Sequence, residues 1–262
     1  MTHTQTNTPK NWLDLLNDMA NQADDIAMHY FNGDLNITQK KDKTLVTQGD
    51  LEIERAVRKS VGDLYPDLAI YGEEFGACDE AEPYKLIIDP IDGTSNFIRG
   101  IPFFGSLMAI EVNGQIVAGT ISNPVTKDRW WAGKGTGAFY NGNPIKTSNI
   151  TDIKEAQAFY GSLYGSEARG DTEKLLKLLA QTKRQRGFGD FYAHCLVAQG
   201  CGEFAIDFGL KPWDIAPLGI LVEEAGGKVC NLDGSTFTPY EGSIVSANSS
   251  TIEEVVLAAF RL

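Results

Sequence analysis

Residues 89–94 read Asp-Pro-Ile-Asp-Gly-Thr and directly follow an apolar run at residues 86–88. Asp89 and Asp92 lie three residues apart around a proline that fixes one backbone angle, so both carboxylates can point to one side of the turn. Paired carboxylates of this kind bind hard, oxygen-seeking cations. The backbone N–H groups of Gly93 and Thr94 could also bind a phosphate if a helix begins there. The segment therefore predicts a metal site next to an anion site.

Two further acids stand where the chain changes direction. Glu73 follows another apolar run at residues 68–71, and Asp214 precedes an apolar helical pattern. Plainer interpretations exist, because an Asp-Gly pair often forms an ordinary solvated turn and Asp214 could be only the N-cap of its helix. Glu74 is best interpreted as solvated. The recurrence of acids at the ends of separate apolar segments favours a shared metal site.

Composition and charge argue against several classes of function. The chain has 262 residues, 42% of them hydrophobic, and a formal net charge of -12, which disfavours nucleic acid as a partner because binding its backbone requires clustered cations. The sequence has no apolar run of roughly 18 residues, so we expect no membrane span and a cytoplasmic protein. We expect no zinc site, since the cysteines and histidines are scattered: Cys78, Cys195, Cys201, Cys230, His3, His29 and His194.

Apolar periodicity predicts the elements that position these acids. One helix should run from about Trp12 to Gly33, and a second should begin near Asp50 and bury Ile53, Val57, Val61 and Leu64. The runs at residues 68–71 and 86–88 predict buried strands. Asn-Gly pairs at residues 113–114 and 141–142 predict hairpins in an antiparallel meander over residues 103–145. Helices near residues 171–181, 190–199 and 214–225 and a strand at 203–207 should follow.

This alternation of strands and helices predicts an α/β fold class with two lobes. We expect residues 1–148 to form an α+β N-terminal lobe that carries most of the metal ligands. Residues 149–262 should form an α/β C-terminal lobe that carries Asp214 and the substrate-recognition residues. No segment is rich enough in Pro, Gly or Ser to predict freely moving domains.

Three segments together resemble the signature of the inositol monophosphatase family: Gly-Glu-Glu at residues 72–74, the segment 89–94 with Asn96-Phe97, and Trp213-Asp214 with Gly226-Gly227. The resemblance spans most of the chain. It implies a layered α-β-α-β-α sandwich of the inositol monophosphatase and fructose bisphosphatase type, and a homodimer. It also implies two or three Mg²⁺ ions, bound by Glu73, Asp89, Asp92, Asp214 and the backbone carbonyl of Ile91.

The same resemblance implies that Thr94 pairs with Asp50 to orient an attacking water, with Glu73 also at the catalytic centre. Gly49 stands where the family more often has alanine. Pro217 replaces a small residue, and we expect it to lie in the first helical turn, where proline is sterically acceptable. The chemistry would be hydrolysis of a small-molecule phosphate monoester by direct attack of metal-activated water. No Cys or His constellation suggests a covalent phosphoenzyme.

Residues 187–214 resemble the histidinol-phosphate phosphatase branch of the family, through Gly-Asp-x-Tyr at 189–192 and Gly-Leu-Lys-Pro at 209–212. Inositol-type members usually carry a small or hydroxylated residue at the position of Asp190. A carboxylate near the leaving group can pair with the ammonium of an amino alcohol, so Asp190 and Asp207 are predicted to bind histidinol phosphate. Asp190 could instead be only a helix N-cap, and Asp207 could merely end a strand.

Other functions remain open. Inositol or a related polyol phosphate is the alternative substrate. A phosphatase for sugar bisphosphates or phosphoadenosine nucleotides would need cations for the second phosphate, and Lys183, Arg184 and Arg186 are candidates unless they form a solvated face. A catalytically silent protein that binds metal and phosphate for regulation is a different class, although all of the expected ligands are present. Whether residues 33–48 form a mobile loop over the metal site is also open.

Overall fold

The structure, a computed structural model, describes residues 9–31, 33, 35–39, 45–163 and 170–261. The chain forms two compact units, Met1–Thr136 and Gly137–Leu262. The predicted loop at residues 33–48 falls partly outside the described residues, at 34 and 40–44.

Two amphipathic helices, α1 (Pro9–Phe31) and α2 (Gln48–Leu64), form one layer of the N-terminal unit. Their predicted buried faces are confirmed at Leu16, Ile53 and Val57, each fully buried. The prediction for Leu64 is wrong, because this side chain is 63% exposed. Leu64 is the last residue of α2, and the contribution of that helix to the core cluster ends one turn earlier, at Val61.

The other layer of this unit is a sheet. Its strands are β3 (Ala69–Gly72), β4 (Tyr84–Asp92), β5 (Gly105–Val112), β6 (Gln115–Asn123) and β7 (Asp128–Gly133), after a separate small pair of β1 (Thr38–Gln39) and β2 (Leu45–Val46). β3 pairs with β4 in parallel, and the following neighbours pair antiparallel. The hairpin predicted at Asn113-Gly114 is confirmed, with φ angles of 50° and 77°.

Helices and sheet of the N-terminal unit share one core. Leu86 and Ile88 of β4 alternate toward it and join Met108 and Ile110 of β5 in the cluster that contains Leu16. Burying each such side chain contributes about 1.5–3 kcal/mol. This packing fixes β4 and therefore the acidic turn at its end, which continues into the short helix α3 (Thr94–Ile98).

The C-terminal unit begins with a hairpin of β8 (Gly137–Tyr140) and β9 (Asn143–Pro144), which turns at Asn141-Gly142 as predicted. The hairpin belongs to this unit, where the Gly137 N–H donates to Glu224 Oε2 at 2.9 Å, so the unit boundary lies before the one predicted near residue 148. The remaining elements are β10 (Gln157–Tyr160), α4 (Thr172–Leu179), β11 (Arg184–Arg186), α5 (Asp190–Ala198), β12 (Phe204–Phe208), α6 (Pro212–Glu224), β13 (Lys228–Cys230), a 3-10 helix (Pro239–Glu241), β14 (Ser243–Ala247) and α7 (Ser250–Arg261).

These strands form a mixed sheet in the order β11-β10-β12-β14-β13, with helices on both faces. Phe204 and Ile206 of β12 pack in a cluster with residues of α4 and α7. Ala205, which points to the opposite face, packs with Ala193 and Val197 of α5. The helices and the strand predicted for this half of the chain are confirmed, and the unit has the expected α/β layering.

Pro217 differs from its predicted place. Because α6 begins at Pro212, Pro217 is its sixth residue and lies in the second turn rather than the first. Its ring nitrogen cannot donate to the carbonyl of Trp213, yet the helix continues to Glu224. Among the described residues, no helix combines the length and the apolar character needed to cross a membrane.

Candidate active site

The Asp89 and Asp92 turn closes at the end of β4. Asp89 Oδ1 accepts the N–H of Ile91 at 3.0 Å, and the pairing with β5 shifts register between the two acids. Both acids are buried, at 2% and 9% exposure, and they offer carboxylate oxygens within 4.8 Å of each other. Two carboxylates at this separation can share a divalent cation.

Gly93 and Thr94 directly follow Asp92 and begin the helix α3. Gly93 adopts a φ of 78° as the N-cap of α3, so the helix expected at this point is present. The left-handed conformation favours glycine because it has no Cβ. The Thr94 hydroxyl donates to the carbonyl of Ile91 at 3.0 Å. The turn thus brings a hydroxyl, a backbone carbonyl and two carboxylates together.

Glu73 is positioned by a residue that sequence reasoning missed. It lies just beyond β3 and is half-buried. Glu54 of α2 is fully buried beneath this turn, and its carboxylate accepts the N–H groups of Glu74 at 2.7 Å and Phe75 at 3.2 Å. A Cβ on Gly72 would lie 2.2 Å from Glu54 Oε1, so the turn fits closely over this carboxylate.

Arg58 completes this support, donating from Nε to Glu54 Oε1 at 2.8 Å and from Nη2 to the carbonyl of Gly76 at 2.6 Å. The sequence did contain a signal for Glu54. It is a charged residue beside Ile53 on the apolar face of α2, one turn after Asp50, and a buried acid at such a position requires partners.

Asp50 lies in the first turn of α2 and forms a capping box with Thr47. Its Oδ2 accepts the Thr47 N–H at 2.8 Å and the Thr47 hydroxyl at 2.5 Å. Its Oδ1 is buried and has no hydrogen-bond partner among the described residues. Burial raises the pKa of Asp50 to about 6, and the nearby charge of Glu73 adds to this effect.

These residues fit a magnesium site. The unpaired buried Oδ1 of Asp50 is costly, and a water molecule held beside the cations would supply the missing hydrogen bond. The neighbouring donors are all oxygens, the ligand type that Mg²⁺ prefers. Gly49 belongs to the same packing, since a Cβ there would lie 3.3 Å from Ile91 Cδ1, which leaves little room for the alanine more usual in the family.

Asp214 lies in the C-terminal unit at the third position of α6. Lys211 is the N-cap, and its N–H donates to Asp214 Oδ2 at 2.8 Å. The N-cap interpretation of Asp214 is therefore wrong by three residues, although the carboxylate still satisfies an amide at the helix start.

Asp190 and Asp207 lie close enough to influence each other. Asp190 has a φ of 55° and is the first residue of α5, whose N-cap is Gly189, so the N-cap alternative for Asp190 is wrong. Desolvation, together with the charge of Asp207, raises the pKa of Asp190 to about 6. Asp207 lies on β12 with 5% exposure, and burial raises its pKa as well.

His194 and Ser246 extend this acidic pair inward. His194 Nε2 lies 3.1 Å from Asp207 Oδ2, and His194 Nδ1 lies 2.8 Å from Ser246 Oγ. Both added residues are fully buried. These contacts could not be predicted from the sequence, because the residues lie far apart in it and no motif connects them.

The cations proposed for a second phosphate do not form a shaped site. Lys183, Arg184 and Arg186 are exposed on and beside β11. Lys183 forms an ion pair with Glu155, and Arg186 donates to the carbonyl of Gln185 at 2.8 Å. These side chains therefore form a solvated charged face, the alternative that the sequence left open for them.

Comparison with known proteins shows the family of the chain. The sequence profile of the inositol monophosphatase family matches residues 9–262. The histidinol-phosphatase of Mycobacterium tuberculosis is 36% identical, covering 91% of this chain and 94% of its own length. The extragenic suppressor protein suhB from Bartonella henselae has a similar structure, with a TM-score of 0.88, 26% identity and coverage of 96% of this chain and 98% of its own.

An inositol monophosphatase from Anabaena has a TM-score of 0.85 at 25% identity, covering 97% of this chain and 96% of its own. These matches extend over both units and share the α/β sandwich fold. The chain therefore belongs to the inositol monophosphatase family and is a phosphoric monoester hydrolase.

Proposed function

We propose that the protein is a magnesium-dependent phosphatase that converts histidinol phosphate to histidinol and phosphate, a step of histidine biosynthesis. The observation that carries the substrate assignment is the Asp190 and Asp207 pair, two neighbouring carboxylates in the C-terminal unit. Their mutual repulsion would be relieved by an ammonium group. The similarity to a named histidinol-phosphatase supports the same assignment.

Glu73, Asp89, Asp92, Asp214 and the carbonyl of Ile91 would hold two or three Mg²⁺ ions. When bound, these ions lower the pKa of water and neutralise the charge of the phosphoryl group and of the departing alkoxide. The N–H groups of Gly93 and Thr94 would bind a phosphate oxygen.

Asp50 and Thr94 would orient the attacking water, together with Glu73. The unpaired Oδ1 of Asp50 is available to accept a hydrogen bond, and the raised pKa of this carboxyl suits a group that takes up a proton near neutral pH. The Thr94 hydroxyl is already held by the Ile91 carbonyl. Direct attack by water is favoured over a covalent route, because Ser246 beside His194 is fully buried and cannot reach a substrate.

Asp190 would contact the ammonium of the leaving group, and Asp207 would add negative charge behind it. A neutral polyol gains little from two carboxylates beyond hydrogen bonds, so this pair favours an amino alcohol. Inositol or another polyol phosphate remains the alternative, supported by the similar inositol monophosphatase structure. A catalytically silent regulatory protein is not favoured.

Phosphate release from histidinol phosphate and from inositol phosphate, each with Mg²⁺ or with chelator, tests this proposal. We expect turnover only with Mg²⁺ and a higher kcat/KM for histidinol phosphate. Asp190→Asn should raise KM for histidinol phosphate about tenfold, because a charge-assisted contact is lost, and should leave the inositol phosphate KM unchanged. Glu173→Gln, a change at an exposed acid of the same unit, is the matched control.

A wild-type preference for inositol phosphate would contradict the substrate assignment, and activity that persists in chelator would contradict the metal assignment. The homodimer and the cytoplasmic location stay predictions. Sedimentation of the full chain tests the first, and subcellular fractionation tests the second.

A further inference from the structure

His194 and Asp190 lie one helical turn apart on α5, on the stripe that faces the sheet with Ala193 and Val197. Beneath this stripe, β12 and β14 pair antiparallel, with Ala205 opposite Ser246. Side chains alternate along a strand, so Asp207, two residues after Ala205, lies on the same sheet face. Side chains from α5, β12 and β14 therefore lie close together around the carboxylate of Asp207.

The hydrogen bonds of this cluster depend on the tautomer of His194. An ionised Asp207 can only accept, and its contact with His194 Nε2 at 3.1 Å then requires the proton on Nε2. At Nδ1 the Ser246 hydroxyl lies 2.8 Å away, and a hydroxyl at this distance can donate to an unprotonated Nδ1. A neutral imidazole orients Asp207 without cancelling its charge. A protonated imidazole would cancel that charge.

On its other side, the carboxylate of Asp207 packs closely against Gly161. The backbone of Gly161 hydrogen-bonds the carboxylate, and a Cβ on Gly161 would lie 2.0 Å from Oδ1. Gly189, the residue before Asp190, packs against Gly161, since its Cβ position lies 3.2 Å from Gly161 Cα. The contacts with His194 and Gly161 therefore restrict the orientation of Asp207, whose charge acts on the nearby carboxyl of Asp190.

We propose that His194 is a positioning residue for substrate selection: held by Ser246 as the neutral Nε2–H tautomer, it fixes an anionic Asp207 behind Asp190 and so sets the preference for a cationic leaving group. The inference rests on the proposed histidinol phosphate activity. His194 touches no substrate, and its effect passes through Asp207.

Two substitutions separate the two bonds of His194. His194→Gln can place its amide nitrogen near the position of Nε2 and keep a donor to Asp207, whereas His194→Asn places its amide near Nδ1 and loses that donor. The measurement is kcat and KM for histidinol phosphate and inositol phosphate at saturating Mg²⁺, with exposed His29→Gln as the control. We expect His194→Asn to raise KM for histidinol phosphate by about tenfold, to change kcat by less than about threefold and to spare inositol phosphate, with His194→Gln near wild type.

Equal changes for both substrates, or equal effects of both substitutions, would overturn the inference in favour of a structural role. A wild-type enzyme that prefers inositol phosphate would overturn the proposed substrate as well, and that outcome is read from the wild type alone.

A second readout does not depend on the variants folding. The chain has only three histidines, so ¹⁵N-histidine NMR of the full protein can resolve His194. A protonated Nε2 and an unprotonated Nδ1 in the wild type support the inference. A proton on Nδ1 in the wild type would overturn it.

Discussion

In the N-terminal unit, Asp89 and Asp50 are held by groups two or three residues away, through Ile91 N–H and through Thr47. In the C-terminal unit, Asp207 is held by His194 from α5, thirteen residues away, and by the backbone of Gly161 after β10. Both units present buried acids, but the first supports them mainly within one turn and the second through contacts between elements.

This difference has a functional meaning. The turn after β4 holds Asp89 through a contact two residues away, on a strand that the core of the N-terminal unit fixes. The proposed recognition acids, Asp190 and Asp207, depend on packing between α5, β12 and β14, so substitutions there should change the preferred leaving group and leave the proposed metal turns unchanged. Substitutions in the two regions should therefore produce different kinetic signatures.

The largest effect is expected for Asp92→Asn. The change removes a proposed metal-binding charge, so activity should fall about 10³-fold for every phosphate monoester. Phosphate release measures the loss, and circular dichroism should show a folded protein.

Asp63→Asn, an exposed acid of the same unit that pairs with Lys59, is the control and should keep full activity. A loss confined to one substrate in Asp92→Asn would contradict the division between common chemistry and recognition.

A smaller effect is expected for Glu54→Gln, the exception to local support in the N-terminal unit. The amide keeps one acceptor for the Glu74 and Phe75 N–H groups but loses the charge that pairs with Arg58. Because Glu54 orients the Glu73 turn, the Mg²⁺ concentration for half-maximal activity should rise about tenfold.

Glu52→Gln on the same helix is the matched control, since Glu52 pairs on the surface with Gln48. An unchanged Mg²⁺ requirement in Glu54→Gln would show that the turn holds Glu73 without this carboxylate.

The sequence predicted most of the fold because the elements follow one-sided or alternating apolar patterns. Leu16, Ile53 and Ile88 lie on the predicted buried faces, and both Asn-Gly turns form hairpins. The errors occur at element ends. Leu64 extends beyond the core, and α6 begins two residues before Asp214, which moves Pro217 into the second turn. Apolar periodicity carries no information about where a cap forms.

The contacts of the candidate site were predictable where they are local. Asp89, Asp92 and Thr94 were proposed from one hexapeptide, and the contacts of Asp89 and Thr94 with Ile91 run over two and three residues. Glu54, His194 and Ser246 were missed because each acts on a residue from another element. No spacing rule relates β14 to α5 before the sheet order is known.

The smallest effects concern stability and compare two glycines. Gly161→Ala would place a methyl group 2.0 Å from Asp207 Oδ1, so Asp207 and its contact with His194 must shift, and the free energy of unfolding should fall by about 1–3 kcal/mol. Gly62 lies on the exposed side of α2, and a Cβ there would have no neighbouring atom within 4 Å. Gly62→Ala should therefore raise the free energy of unfolding by about 0.5–1 kcal/mol. Urea unfolding measures both. If Gly161→Ala were as harmless as Gly62→Ala, Asp207 would have room to move, and the closely packed support that distinguishes the C-terminal unit would not exist.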